Sequence, residues 1–191
     1  MSEDITTWGS REFPDTYVNG RGIPKVIFVD NVVTFLKAKG VTAETALRTF
    51  QEDFSKYKLM EAKLTQSKAS LMAKLPEIQK TLEMLRHLRD LGGESMMRTN
   101  FALSDTAFVE ADVPAPQRVG LWLGANVMVE YEVEEAIQLL TKNLTTAKAN
   151  LERTLEDLAY LREQHIVVEV NMARVYNHEV RAKKEAKEAG D

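Results

Sequence analysis

The sequence predicts a mainly α-helical protein with a small β part, in which two β-hairpins join the helices of a long antiparallel coiled coil. Three observations predict it. Apolar residues recur every seven positions from Phe50 to Leu85 and again from Ile137 to Met172. Between these stretches, Thr99 to Tyr131 alternates apolar and polar residues, the period of a half-buried strand. The 7% aromatic and 28% charged content, with Gly and Pro confined to a few places, favours long helices over a broad globular core.

In the first helical stretch, residues 41–92, Phe50, Tyr57, Leu64, Leu71, Ile78 and Leu85 form one row, and Leu47, Phe54, Leu75, Leu82 and Leu88 supply most of the second. Thr42 is the candidate N-cap and Gly92-Gly93 the stop. Pro76 removes one helical hydrogen bond but leaves the phase of Ile78, Leu82 and Leu85 intact, so it predicts a kink without a break. Around Glu61, Ser67 and Lys68 the second row turns polar, which predicts a looser middle.

The hairpins occupy residues 97–131. Phe101 and Leu103 alternate into a turn at Ser104-Asp105-Thr106, and Ala107, Val109, Ala111 and Val113 lead out of it. Pro114-Ala115-Pro116 ends this hairpin, because neither proline can donate to a central ladder. Val119, Leu121 and Leu123 form the third strand, Gly124-Ala125-Asn126 a turn, and Val127, Val129 and Tyr131 the fourth. Gly120, Trp122 and Gly124 make a small-large-small face, suited to close approach of another backbone unless both glycines serve turns. Two hairpins have too little mass to cover their own faces and edges, so strands of other subunits are expected against them.

The second long helix, residues 132–182, opens on Glu132, Glu134 and Glu135, which suit the positive end of the helix dipole. Ile137, Leu144, Leu151, Leu158, His165 and Met172 form one row, and Leu140, Ala147, Leu161, Val168 and Val175 the other. Folding back about the β region pairs Leu85 with Ile137, Ile78 with Leu144, Leu71 with Leu151, Leu64 with Leu158, Tyr57 with His165 and Phe50 with Met172. Phe50 to Arg89 alone would span about 60 Å as helix. Residues 183–191, charged and alternating in sign, are expected as a flexible tail.

Residues 1–22 carry Gly9, Pro14, Gly20 and Gly22 without a sustained period and are expected to be disordered. They lack the apolar core of a secretory signal and the Arg-rich character of a transit peptide. Residues 23–40 crowd Ile23, Val26, Ile27, Val29, Val32, Val33, Phe35 and Leu36 into a short apolar helical segment, capped by Asp30 and stopped by Gly40. That segment either packs back on the coil or stays exposed as a partner surface.

No catalytic constellation is present. Cys is absent, which removes thiol catalysis and Cys-based zinc sites. Gly20-Arg21-Gly22 has neither a preceding strand nor a following G-K-[ST], so it is not a phosphate loop. His165 and His178 fall on different helical faces and His87 on the other helix, so no two-His metal clamp forms. His165 is instead expected half-buried opposite Tyr57. Neither an enzyme nor a cofactor is expected. A net charge of −4 disfavours nucleic acid, and no run of about 18 apolar residues spans a membrane. The sequon Asn143-Leu144-Thr145 lies in a helical context without a signal peptide.

The runs RGIPKVIFVDNVVTFL, KYKLME, KLPEIQKTLEML, RVGLWLGANVMVEYEVEEA and NMARVYN resemble prefoldin, in particular its longer α-type subunits, from about Arg21 to Asn177. The resemblance implies hairpins that contribute to an oligomeric β-barrel, in a heterohexamer with one further α-type and four β-type subunits. It also implies an ATP-independent cytoplasmic co-chaperone, with a nuclear pool, that passes unfolded actin and tubulin to the group II chaperonin. Assembly would fall on Phe101, Leu103, Val109, Leu121, Trp122, Leu123, Val127 and Val129. Client or chaperonin contact would fall at the coil tips, where the periodicity places Val32, Val33, Phe35, Leu36, Leu47, Phe50, Phe54, Met172, Val175 and Tyr176. These same side chains could simply close the coil, and a coiled-coil scaffold or tether is the competing reading.

Overall fold

The structure, a computed structural model, describes residues 22–92 and 96–188. The segment expected to be disordered lies outside them except for Gly22, as do Gly93 and the last three residues of the tail. The elements in order are α1 (Val32–Lys39), α2 (Ala43–Leu91), β1 (Met96–Ser104), β2 (Ala107–Pro114), β3 (Arg118–Gly124), β4 (Val127–Glu132) and α3 (Val133–Glu188). They divide into two units. The first joins α1 and the start of α2, up to Gln66, with α3 from Leu155 on; the second runs from Ser67 to Thr154.

In the first unit the two long helices run antiparallel. Glu61 lies 4.0 Å from Arg162 and 3.5 Å from His165, and the Tyr57 and His165 rings meet edge-on at 6.2 Å. Phe50, Tyr57, Leu161, Val168 and Val175 are buried in one cluster, with Phe54, Leu64 and Met172 packed against it. The second unit has its own cluster, in which Leu82, Leu85 and Leu88 meet Val133, Ala136 and Ile137, flanked by Ile78 and Leu144. Of the heptad pairs, Tyr57 and His165 are in direct contact; Phe50 and Met172 belong to one cluster, and Leu85, Ile137, Ile78 and Leu144 to the other.

Local chemistry sets the helix ends. Thr42 accepts the Thr45 amide on its hydroxyl and the Ala46 amide on its carbonyl, opening α2. Pro76 sits inside α2, which continues unbroken to Leu91, where Gly92 at φ +71 turns its amide back onto the Arg89 carbonyl. Two boundaries differ from expectation. The cap of α1 is Asn31, whose side chain accepts from the Thr34 amide, and not Asp30. The second long helix does not end near 182 but continues through Glu188, because Glu179 with Lys183 and Lys184 with Glu188 form (i, i+4) ion pairs that support an exposed turn.

The two hairpins repeat one design, the pairs of the first from Arg98↔Asp112 to Ser104↔Ala107 recurring twenty residues later as Arg118↔Glu132 to Gly124↔Val127. Phe101 faces Val109 and Ala102 faces Phe108, as Leu121 faces Val129 and Trp122 faces Met128. The register slips at Leu103 and again at Leu123, and Arg98 pairs with Glu110 as Arg118 does with Glu130. β1 begins at Met96, one residue before the expected start of the hairpins, and Met97 packs against the helix cluster of this unit. Gly124, at φ +98, serves the turn, which Ala125 and Asn126 complete with positive φ of their own. Gly120 leaves room for its hairpin neighbour, since a Cβ there would lie 2.9 Å from the Met128 sulfur.

Candidate functional site

Two surfaces stand out, one in each unit. On the hairpins the pleat sorts the expected assembly residues onto opposite faces. Val119, Leu121 and Tyr131 turn toward the helix cluster, whereas Trp122 and Met128 occupy the other face and stay exposed. Phe101, Leu103, Val109, Leu123 and Val127 are also exposed, while Val129 is half-buried. Among the described residues each sheet has two strands, which leaves every strand one open edge.

In the first unit, the residues expected at the coil tip divide by burial. Phe50 and Val175 belong to the buried cluster; Val32, Phe35, Leu36, Leu47, Phe54 and Met172 pack around it, and Phe35 stacks on Phe50 at 6.0 Å. Val33 and Tyr176 are exposed. The segment before α1 does dock on the helices, and it does so as an extended strap: among the described residues the first helix begins at Val32.

Residues 23–30 lie along α3 with Ile23 and Val29 buried. Gln164 accepts the Val26 amide at 2.9 Å. Asn171 holds two groups at once, accepting the Val29 amide at 2.9 Å through Oδ1 and donating to the Ile27 carbonyl at 2.8 Å through Nδ2. The Tyr57 hydroxyl donates to the Pro24 carbonyl at 2.8 Å, and Arg174 donates to the Asp30 carbonyl at 3.2 Å while its guanidinium covers the Phe28 ring. The spacing has a simple origin. Three residues of extended chain from Val26 to Val29 advance about 10 Å, and one heptad from Gln164 to Asn171 advances about 10.5 Å. A polar side chain on one helical stripe therefore meets the strap once per three strap residues.

Gln164 and Asn171 were not among the residues the heptad rows singled out, although both are buried. The available signal was their own seven-residue spacing, each three residues before or after a buried apolar seam position. Polar groups persist at buried positions when something satisfies them, and here it is the strap's backbone. His165 lies in the seam beside Tyr57 and Phe54, half-buried as expected, with Nδ1 toward Glu61. Among the described residues no group of three or more His, Asp or Glu is placed to hold a metal ion, and no helix is long and apolar enough to cross a membrane.

Burial pushes the Tyr57 phenol well above the usual value of about 10, and the neighbouring Asp53 and Tyr160 add to the rise. Its neutral form, the hydrogen-bond donor, is therefore favoured by folding. The stabilisation is fully present below the unfolded value and is lost as pH rises beyond it. Tyr57→Phe should lower stability near neutrality by about 1 kcal/mol for the lost bond to Pro24. It should also flatten the decline of stability above pH ~10 relative to the parent chain, as read by urea denaturation across pH.

Long helices packed on each other and two two-stranded hairpins define a coiled-coil protein with a small β part. The family model for prefoldin subunits matches residues 57–178, and the chain belongs to the prefoldin family. It is 47% identical over 169 residues to prefoldin subunit 3 of Mus musculus, covering 85% of this chain and 86% of that protein. Against prefoldin subunit 3 of Saccharomyces cerevisiae it is 37% identical over 187 residues, covering 93% and 94% respectively. A solved chain of filamentous PFD from Methanocaldococcus jannaschii aligns at a TM-score of 0.45 and 21% identity, over 59% of this chain and 92% of that one.

Proposed function

We propose that this chain is an α-type subunit of a heterohexameric, ATP-independent cytoplasmic co-chaperone. In this reading it joins one further α-type and four β-type subunits through its hairpins. It holds unfolded clients such as actin and tubulin at the coil end that carries α1, and the complex hands them to the group II chaperonin. The observation that carries the reading is the pair of two-stranded sheets with Phe101 61% and Trp122 64% exposed. Isolated hairpins of this size are marginal in water, and open edges beside large apolar side chains are completed by strands from another chain. The strap end supports the client half of the reading, since it presents Ile27, Phe28, Val33 and Tyr176 to solvent.

Co-expression with β-type partners tests assembly, and aggregation of an unfolded client without ATP tests holding. A hexamer that slows aggregation is the expected result; a lone dimer indifferent to β-type partners would instead fit a scaffold or tether. Trp122→Asp places a carboxylate on the open face of the second hairpin. It should abolish hexamer formation in size-exclusion chromatography while helix content by circular dichroism stays unchanged, because Trp122 packs on neither helix cluster. Normal hexamer formation by this variant would remove the hairpin face from the assembly surface.

A further inference from the structure

Every hydrogen bond that α2 and α3 make to residues 24–30 ends on the strap's backbone. Val26 and Val29 give their amides, and Pro24, Ile27 and Asp30 their carbonyls. Side chains of the strap contribute through packing: Ile23 and Val29 are buried, with Val26 between them packed on the same cluster. The groove thus asks of its occupant an extended backbone and an apolar side chain at every third position. It asks for no particular sequence beyond that, apart from the stacking of Phe28 under Arg174.

The strap is held at its backbone and at Ile23, Val26 and Val29, while Ile27 and Phe28 are exposed and α1 packs Val32, Phe35 and Leu36 on the cluster without fully burying any of its residues. A tether of this length keeps the strap near its groove at an effective concentration of about millimolar, so it competes with incoming segments without excluding tight ones.

We propose that the groove built by Tyr57, Gln164 and Asn171 is a binding site for extended apolar segments of unfolded polypeptides, and that residues 23–30 occupy it as an internal competitor. This rests on the client-holding reading above. An unfolded client supplies what the groove recognises, an extended chain with free backbone donors and acceptors and frequent apolar side chains. Displacement of the strap then uncovers the buried seam beside Val168 and Val175, which adds apolar area to the contact.

The test uses the full-length chain and a fluorescein-labelled synthetic peptide of residues 22–31, with binding followed by anisotropy. Val29→Asp should eject the tethered strap, so that this variant binds the peptide at least about tenfold tighter than the parent chain. A peptide with Ile23, Val26 and Val29 exchanged among Ile, Val and Leu should bind within about threefold of the original. One N-methylated at Val26 and Val29 should lose about tenfold or more, because both donors are gone. Adding Asn171→Ala to the Val29→Asp chain should abolish the gain. Should Val29→Asp fail to fold by circular dichroism, Ile23→Ser loosens the strap more mildly and is read in the same way. A folded variant that binds no tighter than the parent, or one indifferent to N-methylation, overturns the proposal. The peptide assay needs neither assembly nor client, so its failure is distinct from a failure of the assembled complex to slow aggregation, which would overturn the client-holding reading instead.

Discussion

Asn171→Ala lowers the stability of the chain by about 2–4 kcal/mol and frees the strap. The amide is fully buried and makes two hydrogen bonds, one to the Val29 amide and one to the Ile27 carbonyl. Each bond contributes about 1 kcal/mol net, but the larger cost falls on what remains: a buried Val29 N–H with no acceptor, at about 1–3 kcal/mol. The strap can avoid that cost by leaving, which exposes Ile23 and Val29 and forfeits their burial. Urea denaturation followed by circular dichroism measures the loss, and amide hydrogen exchange at Val26 and Val29 measures the release. Asn171→Asp separates the two roles of the side chain: a carboxylate still accepts from Val29 but repels the Ile27 carbonyl, so it should be no better tolerated than Ala. Asn177→Ala, on the exposed face of the same helix, should stay within about 0.5 kcal/mol.

The same residue marks where sequence pattern stops being informative. The coil was legible because its packing repeats every seven residues, and a row such as Leu161, Val168 and Val175 carries that period in apolar side chains. The hairpins were legible from alternation and from turn residues. The strap was not, because an extended segment held by side-chain amides has no period of its own kind. Ile23, Val26 and Val29 recur every third residue, which in a short window reads as helix, and the partners that make the strap extended lie 138 to 144 positions away. Asp30 and Asn31 are near-equivalent caps by residue type, and only the extended backbone at Asn31 decides between them. On the second hairpin, alternation identified the strand and set the neighbours Leu121 and Trp122 on opposite faces, where Leu121 packs on the helix cluster and Trp122 is exposed. The charged segment after 182 was misjudged for a different reason: alternating charge is compatible with a solvated tail or with helix, and its spacing of four between opposite signs favours helix.

A matched pair of substitutions on α3 carries the other large effect. Val168 is 0% exposed within the cluster that joins α2 to α3, whereas Val170, two residues on, is 38% exposed. Val168→Asp buries a carboxylate among the apolar side chains of its cluster, and leaving that charge uncompensated costs about 3–5 kcal/mol. Val170→Asp changes the same residue type on the same helix at a solvated position, where substitutions stay within about 0.5 kcal/mol. Thermal unfolding of the two variants side by side should therefore show a drop of many degrees for Val168→Asp and little for Val170→Asp. Helix propensity is common to both and cancels, leaving burial as the difference. Lowering the pH through the carboxylate range should restore part of the Val168→Asp loss, because protonation removes the buried charge, and should leave the Val170→Asp chain unaffected relative to its parent. Equal damage at both sites would mean that α3 presents a different stripe to α2 than the one through Leu161, Val168 and Val175. The Gln164 and Asn171 amides, set three residues from those seam positions, would then have no groove to line.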